Sequence, residues 1–216
     1  LPATAAAVRR DKRLIAVAIG SSSTTGYGAT DSTHTYPARL ADELRRRWPN
    51  SEVSVFNRGV GGETADQMLF RFEADVIALK PQLVLWQLGS NSVLKGGGIT
   101  GFEEALRRGI ERVRAARADV VLIDLQYAPR ILSRPTHVDV LRILSATARE
   151  LDVALFRRFA LMKHWVDSGR AGPDVLLSPD QLHMSDAGYA CIANALADAI
   201  DGAIKTGPAD MVLRRR

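Results

Sequence analysis

Leu14-Ile15-Ala16-Val17-Ala18-Ile19 runs directly into Gly20-Ser21-Ser22-Ser23-Thr24 near the start of this 216-residue chain. An unbroken apolar run that is rich in β-branched residues is typical of a strand buried on both faces, as in parallel sheets. Gly20 permits a sharp turn at the end of this strand. Because ligands bind beyond the carboxyl ends of strands in open α/β sheets, the hydroxyl cluster is either a helix N-cap or a site for a nucleophile.

The rest of the chain continues this alternation of strands and helices. We predict further strands at Glu52–Phe56, Leu83–Leu88, Val120–Leu125 and Val153–Phe156. Apolar periodicity and capping signals predict helices from Pro37 to Trp48, Thr64 to Leu79, Phe102 to Ala118, His137 to Leu151 and Phe159 to Val166, with a last helix after Ser185. Strands that alternate with helices in this way predict a three-layer α/β/α sandwich around a five-stranded parallel sheet, of the flavodoxin-like type.

The length of the chain favours one globular domain over residues 1–216, with residues 1–12 and 206–216 as peripheral tails. The formal net charge is +5. The arginine runs at 45–47 and 214–216 lack the interleaved aromatic residues of a single-stranded nucleic-acid platform, so we interpret them as solvated surface. No apolar run approaches the roughly 18 residues that a membrane span needs.

Cysteine usage and the first residues limit the remaining classes. Cys191 is the single cysteine, which excludes an intramolecular disulfide and a thiolate metal cluster, and its apolar helical neighbours predict that it is buried. The histidines and carboxylates show no metal-ligand spacing, so we predict no metal site. The small, apolar start at Leu1-Pro2-Ala3 fits either a processed, exported protein or a cytoplasmic one.

Polar loops that follow the strands, together with one later loop, carry residues suited to acyl transfer. This chemistry needs a nucleophile, a base oriented by a third group, and donors for a developing oxyanion. Asp180 and His183 lie three residues apart, so the carboxylate can accept from one imidazole nitrogen while the other nitrogen faces the hydroxyl of Ser22. The backbone N–H groups of Ser22 and Gly62 and the side-chain amide of Asn91 can supply the oxyanion donors.

This ordered set of motifs resembles the SGNH hydrolases, which are also called GDSL-type esterases and lipases. The matching blocks, in chain order, are Gly20-Ser21-Ser22, Asn57 with Gly62, Gly89-Ser90-Asn91-Ser92, and Asp180-Gln181-Leu182-His183. The resemblance implies Ser22, Asp180 and His183 as the catalytic residues. It also implies an oxyanion hole formed by Ser22, Gly62 and Asn91.

Two positions depart from that family's pattern. Ser21 and Ser92 stand where relatives usually have aspartates. We predict that both serines, with Tyr127, contact the substrate. Ser21 and Ser23 also remain rivals of Ser22 as the nucleophile, because the register of the turn can slip by one residue.

The resemblance implies a serine hydrolase that cleaves carboxylic esters through an acyl-enzyme and needs no cofactor. We expect a small-molecule or carbohydrate ester with a short, acetyl-like acyl group, and pocket walls at residues 24–35, 93–100 and 127–135. A non-catalytic carbohydrate-binding or scaffold protein is one alternative, and Ser21 and Ser92 support it. Acyl transfer to a sugar or alcohol is another. The sequence leaves the oligomeric state open.

Overall fold

The sheet contains five strands that all run parallel. The computed structural model describes residues 1–95 and 99–206. The strands are β1 (Arg13–Gly20), β2 (Glu52–Gly59), β3 (Leu83–Gln87), β4 (Asp119–Ile123) and β5 (Ala154–Phe156). They pair in the order β2-β1-β3-β4-β5, which is the flavodoxin-like order. The predicted fold class is therefore confirmed.

Helices cover both faces of this sheet. Those of the described segments are α1 (Pro2–Ala6), α2 (Ser22–Thr25), α3 (Tyr36–Arg47), α4 (Ala65–Phe70), α5 (Phe72–Asp75), α6 (Ser90–Leu94), α7 (Phe102–Ala115), α8 (Pro129–Leu132), α9 (His137–Glu150), α10 (Arg158–Asp167), α11 (Pro173–Leu176) and α12 (Asp186–Thr206). Helix α3 packs on α12, and α7 packs on α4 and α9. Because the chain moves from β1 outward to β2 and then back to β3, right-handed crossovers place these two groups on opposite faces.

The first strand occupies the centre of the fold. β1 pairs with β2 on one side and β3 on the other, and its residues from Ala16 to Ile19 are fully buried. Burial of each large aliphatic side chain contributes about 1.5–3 kcal/mol, which outweighs any local preference. The carboxyl ends of β1, β3 and β4 therefore lie side by side at one edge of the sheet, where the polar loops of the sequence meet.

The helix predicted from Thr64 to Leu79 is wrong as a single element. It is divided into α4, α5 and a 3-10 turn at Ile77–Leu79, with the first break at Arg71. The breaks turn Phe72 and Val76 into the core, where the Phe72 ring meets Trp86 edge-on at 5.0 Å between centroids. The burial of these two side chains is thus gained at the cost of a continuous helix.

The N-terminal segment is not the peripheral tail expected for residues 1–12. Helix α1 and a π-helical turn at Ala7–Asp11 pack against the fold, leaving Ala7 1% and Val8 6% exposed. The backbone N–H and Oγ1 of Thr4 both donate to Asp119 Oδ2, at 2.8 and 2.7 Å. Of the other expected tail, only Thr206 lies within the described residues, and it ends α12.

Helix α12 also corrects the prediction for Cys191, which is exposed rather than buried. The buried stripe of this helix includes Tyr189, Ile192, Leu196 and Ile200. Cys191 directly precedes Ile192, and adjacent helical residues point about 100° apart, so its side chain leaves the stripe. In the parts of the chain described above, no helix is both long and apolar enough to cross a bilayer.

Candidate active site

Ser22 is the first residue of α2 and follows β1 directly. The turn between them is stabilised by hydrogen bonds to the buried side-chain amide of Gln87. Gln87 Oε1 accepts hydrogen bonds from the Ser21 backbone N–H at 3.0 Å and from the hydroxyls of Ser21 and Thr24, both at 3.2 Å. A Cβ at position 20 would lie only 2.2 Å from Thr24 Oγ1, so Gly20 is required by close approach. The turn is thus fixed on its inner side, and Ser22 remains partly accessible.

The two neighbouring serines point into the protein. Ser21 is 2% exposed and Ser23 is 1% exposed. The prediction that Ser21 contacts the substrate is therefore wrong, because its hydroxyl is buried against Gln87. The same burial removes both serines as rivals for the position of the reactive hydroxyl.

Ser22, His183 and Asp180 form a continuous hydrogen-bonded chain. Ser22 Oγ lies 2.8 Å from His183 Nε2, and His183 Nδ1 lies 2.5 Å from Asp180 Oδ2. With Nδ1–H donating to the carboxylate, Nε2 is free to accept the serine proton. The three residues proposed as catalytic from the sequence are thus brought together, although 161 positions separate Ser22 from His183.

The loop before α12 holds Asp180 in its ionised form. Asp180 Oδ1 accepts from the Ser178 hydroxyl at 2.7 Å and from the backbone N–H groups of Leu182 and His183 at 3.0 and 2.9 Å. Partial burial raises the pKa of the Asp180 carboxyl, but the hydrogen bonds from His183, Ser178 and Leu182 outweigh it and hold that pKa well below its usual range. A carboxylate in this state orients the imidazole and stabilises its protonated form.

The predicted oxyanion donors lie on segments bonded to one another. Gly62 has a φ of +81°, which favours glycine. The Asn91 amide donates to the carbonyl of Glu63 at 2.8 Å, and the Val60 N–H donates to the carbonyl of Gly20 at 3.0 Å. Within residues 1–95 and 99–206, the backbone N–H groups of Ser22 and Gly62 have no protein acceptor. They are therefore free to bind an anion.

Arg71 braces this arrangement, a role that no motif in the sequence indicates. Its guanidinium bonds Glu63 Oε2 at 2.7 Å and Asp75 Oδ2 at 2.8 Å. It also donates to the carbonyl of Gly20 at 3.3 Å. The break between α4 and α5 thus places a cation that joins the Gly62 loop to the end of β1.

A buried polar network joins the remaining loops beneath the site. Arg158, which is fully buried, donates to the backbone carbonyl of Asp124 at 3.0 Å and to Gln126 Oε1 at 2.9 Å. Gln126 Oε1 also accepts from the Ser90 hydroxyl at 2.8 Å, and Gln126 Nε2 donates to the carbonyl of Leu182 at 3.3 Å. The network ties the segments that carry Asn91 and His183 together. Polar residues at the ends of apolar strands, as at Gln87 and Gln126, are the sequence signal for such supports.

Asp124 makes the stability of the fold pH-dependent. Burial raises the pKa of its carboxyl to about 7, although a hydrogen bond from the Phe159 N–H and the charge of Arg158 oppose this. The folded chain keeps the proton up to about pH 7, whereas the unfolded chain loses it near pH 4. Between about pH 4 and pH 7, unfolding therefore releases this proton. Over that range the free energy of unfolding falls as the pH rises, by at most about 1.4 kcal/mol per pH unit.

Asp124→Asn, which cannot release this proton, is expected to gain stability relative to the wild type as the pH rises from 5 to 8. Urea unfolding of both proteins across this range measures the difference. If the two stability curves run parallel, Asp124 does not carry the proton in the folded chain.

Tyr127 and Ser92, the other two predicted substrate contacts, are both half-buried. The Tyr127 ring meets Phe159 edge-on at 5.2 Å between centroids, and Ser92 lies in α6. Their roles toward a substrate stay predictions. Of the expected walls, residues 96–98 of the segment 93–100 lie outside the described residues.

A cavity of about 860 Å³ lies at the opposite edge of the sheet from Ser22. It is lined by Asp119 and Val153, at the amino-terminal ends of β4 and β5, so it is separate from the candidate active site. Over the described ranges, no cluster of histidine, cysteine and carboxylate residues is suited to hold a metal ion.

The chain is similar to a lipase-like family and to several esterases. The model of the Non-GDSL lipase-like family matches residues 1–206. The chain is 32% identical over 141 residues to thioesterase 1/protease 1/lysophospholipase L1 of Escherichia coli, covering 65% of this chain and 64% of that protein. It is 27% identical over 146 residues to the esterase TesA of Pseudomonas aeruginosa, covering 67% and 65%. Axe2, an acetylxylan esterase from Geobacillus stearothermophilus, has a similar structure, with a TM-score of 0.72 at 24% identity over 94% of this chain and 97% of that one.

Proposed function

Because this chain belongs to the Non-GDSL lipase-like family, we propose that it is a serine hydrolase that cleaves carboxylic esters through an acyl-enzyme. The observation that carries the proposal is the chain of contacts from Ser22 Oγ to His183 Nε2 at 2.8 Å and from His183 Nδ1 to Asp180 Oδ2 at 2.5 Å. A hydroxyl, an imidazole and an ionised carboxylate in this order are the groups that serine acylation requires.

The first half of the reaction acylates Ser22. His183 Nε2 takes the hydroxyl proton as Ser22 Oγ attacks the ester carbonyl carbon, and the carbonyl electron pair moves to the oxygen. The backbone N–H groups of Ser22 and Gly62 and the Asn91 amide bind this oxyanion. When the carbonyl re-forms, the bond to the alcohol oxygen breaks, and His183 returns the proton to that oxygen.

The second half releases the acid. A water molecule gives its proton to His183 as its oxygen attacks the acyl carbon, and the same donors bind the second oxyanion. Collapse breaks the bond to Ser22 Oγ, which recovers the proton from His183. Asp180 keeps the imidazole in one tautomer throughout and balances its positive charge. No step in this scheme uses a cofactor.

We propose a short acyl group, acetyl or similar in size, on a carbohydrate alcohol. The acetylxylan esterase with the similar fold is named for an acetylated carbohydrate, which supports this choice. The expected walls at 24–35 and 127–135 contain no long apolar stretch that would line a tunnel for a fatty acyl chain. A short acyl group leaves little apolar surface to bury, so such walls suffice for it.

A series of p-nitrophenyl esters tests the reaction and the acyl length together. We expect kcat/KM to decrease from the acetate to the butyrate and further to the octanoate, because the longer chains gain no matching apolar wall. Steady-state kinetics with one leaving group isolates the acyl side. An octanoate that is the best substrate contradicts the short-acyl proposal. Background rates on every ester favour the non-catalytic alternative, and acetylation of an added sugar instead of acid release indicates the acyltransferase.

A further inference from the structure

Tyr27 is an exposed aromatic residue placed between the two working parts of the site. It lies just after α2 and is 56% exposed. Its ring centroid is 5.5 Å from that of His183, with a tilt of 38° between the planes. Its far edge lies against Gly61, where an added Cβ would be 3.4 Å from Tyr27 Cε2. The ring therefore spans the distance from the imidazole to the turn that carries Gly62.

The backbone of Tyr27 is fixed although its ring is exposed. Its N–H donates to the carbonyl of Ser22 at 3.0 Å, and its carbonyl accepts from the Tyr189 hydroxyl at 2.7 Å. The flanking Gly26 and Gly28 have φ values of +105° and +88°, which favour glycine at both positions. In the described parts of the chain, the Tyr27 hydroxyl makes no hydrogen bond, so the ring rather than the hydroxyl defines the surface.

Strand order places this ring on one side of Ser22. Ser22 follows β1, and the ring contacts Gly61, which follows the edge strand β2. Asn91 and Tyr127 follow β3 and β4, on the opposite side of β1. The two halves of an ester bound at Ser22 must leave the carbonyl carbon in different directions, so one half approaches each side.

The proton path identifies which half approaches Tyr27. The departing alcohol oxygen receives its proton from His183 Nε2, so it must lie within hydrogen-bonding distance of that atom. Tyr27 packs beside this imidazole and contacts Gly61, which follows the edge strand β2. The alcohol half therefore passes the exposed ring, and the acyl half extends toward β3 and β4.

We infer that Tyr27 forms the alcohol side of the substrate cleft and selects esters whose alcohol is a ring, either a pyranose or an aromatic ring. This inference rests on the proposed ester hydrolysis and adds the residue that recognises the ring of the alcohol. A flat ring can lie along an aromatic side chain and exclude water from both surfaces, whereas an ethyl group covers little of it.

The experiment compares three acetates that share one acyl group and differ in the alcohol: ethyl acetate, phenyl acetate and a mono-acetylated methyl xylopyranoside. Acetic acid release is measured for the wild type, Tyr27→Ala, Tyr27→Phe and Ser22→Ala. We expect Tyr27→Ala to lower kcat/KM for the two ring esters about five- to ten-fold, mainly by raising KM, and to change ethyl acetate less than about two-fold. Tyr27→Phe should keep wild-type values within about two-fold, because it retains the ring.

The outcomes separate this inference from the proposed function. An equal loss on all three esters, or a shifted pH profile with ethyl acetate, means that Tyr27 acts only by positioning His183, and it overturns the inference. No loss on either ring ester also overturns it. Wild-type hydrolysis that Ser22→Ala does not reduce instead overturns the proposed function. Thermal melting of Tyr27→Ala and Tyr27→Phe verifies that both variants fold.

Discussion

Ser22→Ala is expected to lower kcat for p-nitrophenyl acetate by about 10⁴- to 10⁶-fold, which is the scale of removing a nucleophile from a serine hydrolase. Without the hydroxyl, no acyl-enzyme forms, and His183 can only assist direct attack by water. The stability of the fold should change little, because Ser22 is partly accessible and the turn is held by Ser21 and Thr24 through Gln87. Steady-state kinetics and thermal melting of the purified variant measure both quantities.

Ser23→Ala is the matched control, since it makes the same serine-to-alanine change at the next residue. Ser23 is 1% exposed, so its loss should change kcat by less than about two-fold. A serine-reactive phosphonate should label Ser22 in the wild type and in Ser23→Ala, with the site located by mass spectrometry. A Ser22→Ala variant that keeps wild-type turnover, or a label on another serine, would contradict the assignment.

His183→Gln is expected to cause a loss of similar size, about 10⁴- to 10⁶-fold in kcat. Glutamine cannot take the proton from Ser22 Oγ or return one to the leaving alcohol. Because serine and base act as one unit, adding Ser22→Ala to this variant should cost little more. Rates of the two single variants and the double variant, measured with the same ester, give this coupling directly.

His164→Gln is the control for the histidine. His164 is exposed on α10, and its backbone carbonyl accepts a hydrogen bond from the Ser168 hydroxyl at 2.7 Å, which the substitution retains. Its replacement should leave kcat within about two-fold. The outcome that contradicts the pairing concerns the double variant of Ser22→Ala and His183→Gln. If its loss in kcat equals the product of the two single losses, as for independent sites, Ser22 and His183 do not act in one proton path.

The architecture of this protein was predictable because its signals are local. The apolar run at 14–19 lies in the central strand of the sheet, and the alternation that follows it predicted all five parallel strands. The resemblance to a family of esterases and lipases is confirmed by the match to the Non-GDSL lipase-like family over residues 1–206. The spacing of Asp180 and His183 was also readable, since three residues within one turn set their contact.

The consecutive residues of this chain therefore specify its strands, its fold class and the candidate chemical groups. Contacts between distant segments depended on folding: the burial of Ser21 against Gln87, the brace of Arg71 across Glu63 and Gly20, and the ring of Tyr27 beside His183. The physical reason is that periodicity and capping act over a few neighbouring residues, whereas these contacts depend on strand order and on how each helix turns to bury its apolar face. No local pattern encodes where residue 183 lies relative to residue 22.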